Sequence, residues 1–160
     1  MNFFEDIAVG QRISVGRHTF AAGEIKTFAT RFDPQPFHVD EAAAARSHFG
    51  GLVASGWHTV VVWMRLMGDY HRRQIDAARD RGDPVADIGP ELGLRELKWA
   101  KPVYAGDTID YVSEVIEVRV SGSRPGHGLM TLRSTGANQR GDMVISFLST
   151  SFVERRSRKA

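Results

Sequence analysis

No cysteine occurs among the 160 residues. That absence excludes disulfides, thiolate nucleophiles and cysteine-ligated zinc or iron–sulfur centres. Nowhere do 18 apolar residues run together, and the stretch Met1-Asn2-Phe3-Phe4-Glu5-Asp6 lacks the basic and apolar regions of a secretory signal. A soluble, cytoplasmic protein with no membrane partner is the expectation. Net charge is small as well: the formal value is +2, and four of the positive charges are Arg155, Arg156, Arg158 and Lys159, which leaves the remainder slightly acidic. With no basic face and no aromatic-plus-basic clusters, a nucleic-acid partner is not expected. HxH and HExxH spacings are missing, and no GxSxG elbow surrounds Ser55, so neither a metal, a cofactor nor a serine nucleophile is expected. No internal repeat or low-complexity segment is present.

The hydrophobic share of 42% in a chain of this length fits one globular domain. Residues 1–154 are assigned to it, and the basic residues 155–160 are expected to form a disordered tail. Alternation through Ile13 and Val15 predicts a first strand over 12–20. Ile25, Phe28 and Ala29 at helical spacing predict a short helix over 23–29. Asp40 is a candidate N-cap for a helix over 41–46, where four successive alanines favour the state. Between Trp57 and Met67 only His58, Thr59 and Arg65 are polar, which predicts a helix from 56 to about 75, buried on nearly every side. From Leu92 onward the period changes to two. Strands are predicted over 92–99, 108–120, 129–138 and 142–153, with a β-bulge near Val115. Five strands joined largely by short turns, with one long apolar helix, give an α+β fold in which a curved antiparallel sheet wraps the helix.

Between the short helices lies Asp33-Pro34-Gln35-Pro36-Phe37-His38-Val39-Asp40. Its two prolines predict a stiff, non-helical loop, because each ring removes an N–H and restricts the preceding residue. Such a loop would hold the Asp33 carboxylate and the His38 imidazole at a fixed separation, and that pair can exchange a proton near neutral pH. A turn-opening Asp-Pro and a core histidine are the plainer alternative. Ser55-Gly56 opens the long helix, whose first N–H groups have no intrahelical partner and whose dipole favours negative charge. Gly56 could receive an oxyanion there, or merely permit close packing. His58 reads as a hydrogen-bonded core histidine, and His18, His48, His71 and His127 show no partner pattern.

The motif resembles that of the MaoC-like dehydratase family, which includes the (R)-specific enoyl-CoA hydratases and has the hot dog fold. The family pattern runs Asp, any residue, Asn, Pro, apolar, His, any residue, Asp or Glu; here Gln35 stands in the Asn position. Leu52-Val53-Ala54-Ser55-Gly56-Trp57 is similar to the family's apolar run ending in His-Gly-Met, with Ser55 and Trp57 as departures. Leu97 to Thr108 resembles its strand, Pro-Val and Gly-Asp-Thr turn. The resemblance implies reversible hydration of a trans-2-enoyl-CoA thioester. His38 would take a proton from water, and Asp33 would supply the C2 proton, its pKa raised by an apolar pocket. Gln35, Ser55 and Gly56 would bind the substrate and stabilise the oxyanion. A homodimer or dimer of dimers is implied too. A hot dog thioesterase and a non-catalytic acyl-CoA binding protein are the rival readings.

Overall fold

The computed structural model describes residues 3–156. Five strands, β1 (Arg12–Thr19), β2 (Ile88–Trp99), β3 (Thr108–Val120), β4 (His127–Asn138) and β5 (Met143–Glu154), form one antiparallel sheet in the order β1-β3-β4-β5-β2. Three short helices, α1 (Ala22–Phe32), α2 (Pro36–Val39) and α3 (Glu41–Arg46), lead to the long α4 (Gly56–Asp80). The sheet packs around α4, as expected of a hot dog fold. Alternate residues of β3, Ile109, Tyr111, Ser113 and Val115, are buried. Trp63 of α4 is buried, edge-on to Phe147 of β5 at 4.7 Å. Its indole N–H donates to Ser113 Oγ at 3.4 Å, and that hydroxyl pairs with Ser134 at 2.7 Å, so these three buried polar groups are satisfied. The Tyr111 hydroxyl donates to the Thr59 carbonyl at 3.1 Å, tying β3 to the first turns of α4.

The expected bulge is present, as a register shift between Val115 and Glu117. Several expectations need correction. Pro36 does not prevent a helix; it starts the single turn α2, at the N-terminal position where its missing N–H is not needed. The first helix spans Ala22–Phe32 rather than 23–29, and β2 begins at Ile88 rather than 92. Helix α4 continues to Asp80, beyond 75. Its last carbonyls are closed by Gly82 N–H to Arg79 and Asp83 N–H to Ala78, both at 2.9 Å, with Gly82 at φ +73°.

Nor is α4 buried on nearly every side. Trp57, Val61 and Met64 form an exposed stripe with 54%, 47% and 59% of their surface open, and Leu92 and Trp99 of β2 are exposed as well. Strand β2 is an edge with register shifts at three points, and Glu96 within it has φ +53°. The start of the basic segment is held rather than frayed. Arg155 pairs with Glu5 at 3.3 Å, and Arg156 binds both carboxylate oxygens of Asp6 at 2.7 and 2.8 Å. Residues 157–160 of the expected tail lie outside the described residues.

Candidate active site

Asp33 caps the C-terminus of α1, its N–H donating to the Ala29 carbonyl at 2.8 Å. His38 lies a few residues further on, in α2, and is buried. Asp33 Oδ2 and His38 Nε2 approach to 3.4 Å. The other ring nitrogen, Nδ1, is 2.7 Å from the carbonyl oxygen of Val53. A carbonyl only accepts, so Nδ1 carries a proton, and Nε2 is the ring nitrogen turned to Asp33. Val53 is itself fixed: the Leu52 carbonyl accepts from Ala105 N–H at 3.0 Å, and Ala54 N–H donates to the Val103 carbonyl at 2.8 Å. Thus the segment before α4 and the Pro-Val segment after β2, distant in sequence, form one wall.

Ser55 and Gln35 both reach Asp33. Ser55 Oγ donates to Oδ2 at 2.7 Å, and the Gln35 amide donates to Oδ1 at 3.0 Å. The longer glutamine side chain therefore folds back onto the carboxylate. Burial pushes the Asp33 carboxyl up, but the hydrogen bonds from Ser55 and Gln35 and the nearby His38 outweigh it, leaving the group below its ordinary value. The expectation of a raised pKa is thereby corrected: an apolar wall does not produce a neutral acid when two donors are aimed at the charged form.

Gly56 is the first residue of α4, and a Cβ there would collide with the Trp99 indole. Close packing is one reason for glycine; its backbone N–H, at the helix start, still lacks an intrahelical acceptor. Ser55 also caps the helix, accepting from Trp57 N–H at 3.3 Å. Asp33, Gln35, His38 and Gly56 line one cavity of about 440 Å³, walled by Phe37, Phe49, Trp57, Trp99, Val103 and Val144. Ser55 stands behind it and touches the site through Asp33. The site thus joins a carboxylate, an imidazole held through Nδ1, and a helix start, against largely apolar walls.

Trp99 and Thr59, which also line the cavity, and the Val53 carbonyl are missed from sequence. Trp99 carries a signal only as a strand residue, and a backbone carbonyl carries none. His18, without an evident partner in sequence, pairs with Glu24 at 2.9 Å. His58 is buried as expected, with Nε2 3.5 Å from Glu24, but its Nδ1 has no hydrogen-bond partner among the described residues.

The MaoC like domain model matches residues 7–138, and the chain belongs to that family. In three dimensions it is similar to the MaoC-like dehydratase from Rhodospirillum rubrum, at 41% identity and a TM-score of 0.81, over 98% of this chain and 99% of that one. In sequence it is 28% identical to the uncharacterized protein YdeM of Bacillus subtilis over 85% of this chain and 87% of that protein. It is also 35% identical to a mesaconyl-CoA hydratase of Cereibacter sphaeroides, over 49% of this chain but 24% of that protein.

Proposed function

We propose that this protein hydrates a trans-2-enoyl-CoA thioester to the (R)-3-hydroxyacyl-CoA, and runs the reverse dehydration. The observation that carries the reading is the approach of Asp33 Oδ2 to His38 Nε2 at the wall of a largely apolar cavity. The stretch shared with a mesaconyl-CoA hydratase supports a hydratase in particular.

Hydration moves one proton from water to C2 and leaves hydroxide on C3. Asp33 starts ionised and His38 acts as the base, so both accept a hydrogen bond from one water. As the water oxygen attacks C3, His38 Nε2 takes its proton. Across the short gap to Oδ2 that proton passes to Asp33 and on to C2, which restores both groups. In the dehydration direction the ionised Asp33 is the base that removes the C2 proton, which crosses to His38 Nε2 and is given by it to the departing hydroxyl, releasing water and restoring both groups. Its depressed pKa keeps Asp33 ionised for that role. Negative charge on the thioester oxygen meets the Gly56 N–H and the positive end of α4, and one such donor is commonly worth about 3 kcal/mol of barrier.

Asp33→Asn and His38→Ala should each lower hydration of an enoyl-CoA by at least about 100-fold with folding intact. The double variant should lose much less than the product of the two, because both groups serve one water. Full activity in Asp33→Asn would remove this dyad from the chemistry. Release of free CoA without loss of the double bond would point to a thioesterase, and neither activity to a binding protein.

We also propose that the active form is a homodimer. The exposed Trp57, Val61 and Met64 stripe continues onto Trp99 and Leu94 of the open β2 edge, and Trp57 and Trp99 belong to the cavity wall as well. A second copy placed there covers the apolar stripe and closes the outer side of the site.

A further inference from the structure

Three elements meet at a cluster that the hydration chemistry leaves unused. Glu24, in the first turn of α1, lies between His18 of β1 and His58 of α4. His18 Nε2 is 2.9 Å from one of its carboxylate oxygens and His58 Nε2 is 3.5 Å from the other. The His58 ring is stacked on Phe28 of α1, with centroids 4.4 Å apart and planes within 4°, and it meets Phe20 edge-on at 5.1 Å. Glu24 and His18 are the titratable groups that act on this imidazole. Burial lowers its pKa and keeps it neutral. With its one N–H turned to Glu24, His58 leaves Nδ1 buried and without a partner among the described residues. Phenylalanine or leucine would fill the same space without a bare polar atom. What histidine adds is the donor toward Glu24.

The consequence lies at the other end of α1. Asp33 is that helix's C-cap, nine residues from Glu24 or about 13 Å along the axis. His58 sits in the first turn of α4, beside Ser55 and Gly56. Helix α1 is thereby held over the start of α4 at three points: Glu24 on His58, Phe28 on His58, and Asp33 on Ser55. Building on the hydratase reading for its meaning in catalysis, we propose that Glu24 is a positioning residue. Its carboxylate, received by His18 and His58, sets α1 so that Asp33 meets Ser55 and His38 at the start of α4.

The sign of one titration tests this. Removing the negative charge of Glu24 acts through space to lower the Asp33 pKa. Loosening α1 acts oppositely, because it weakens the Ser55 hydrogen bond that holds this pKa down. The Asp33 carboxyl is followed by carbon NMR in the wild type and in three variants. Glu24→Met keeps length and helix propensity but accepts no hydrogen bond; it should raise the Asp33 midpoint by about half a unit or more. Glu24→Asp keeps the charge but withdraws it by one methylene, and should also raise it. Glu24→Gln can accept from one imidazole and donate to the other, and should leave the midpoint at or below wild type. A midpoint in folded Glu24→Met that falls or stays fixed overturns the proposal. If that variant does not fold, Glu24→Asp decides in its place: a midpoint that falls or stays fixed there overturns the proposal equally. Enoyl-CoA hydration should follow the same order, with kcat lowered about ten- to a hundred-fold in Glu24→Met and KM little changed. A wild type that hydrates nothing refutes the proposed function, while the Asp33 titration still decides the positioning role.

Discussion

At Asp33 burial and hydrogen bonding pull in opposite directions, and the donors win. The carboxyl is lowered in the folded state, so it is ionised at neutral pH and gains its proton only below its usual range. Stability linked to it is present above the unfolded pKa and fades as pH falls through the folded one. Ser55→Ala removes the 2.7 Å donor, so the acid limb of the pH–rate profile should move to higher pH. The lost cap should cost about 1 kcal/mol in addition, measurable by urea unfolding. Ser55→Thr keeps both hydroxyl functions and should behave as wild type; an unmoved acid limb in Ser55→Ala would show that Asp33 does not set it. Asp33 and His38 are legible in the sequence because their chemistry and spacing sit within one short stretch. The electrostatics are not legible, since Ser55 reaches Asp33 from another helix. Glu24 escapes notice for the same reason: its partners come from β1 and α4.

At the scale of elements, α4 is the body around which the sheet closes. Trp63 is its main anchor, packed edge-on against Phe147 and hydrogen-bonded to Ser113. Trp63→Ala should cost about 3–5 kcal/mol in chemical denaturation, from the lost transfer energy and the cavity left behind. A cost under about 1 kcal/mol would mean that the sheet collapses onto the gap. The strands are legible because side chains alternate with period two, and even the slip at Val115 shows as a break in that alternation. The turn α2 is not legible, because Pro36 signals a stop in a helix interior and a start at its first position. Apolar content likewise cannot show whether an exposed face such as Trp57, Val61 and Met64 is covered by the chain itself or left for a partner.

For the whole molecule, that uncovered face predicts association. Light scattering at micromolar concentration should give at least twice the chain mass, and Val61→Glu with Met64→Lys should shift it toward the monomer by burying charge in the contact. A wild-type monomer would remove the dimer reading without touching the fold. Strand β2 carries a further consequence. An open edge is the usual template for indefinite strand stacking, which needs a flat, regular row of N–H and C=O groups. This edge offers no such row: its register shifts at three points, Gly93 has φ +135° and Glu96 has φ +53°. Pairing along it ends where the bends fall, so the same strand can present an apolar surface while resisting growth into amyloid-like fibres.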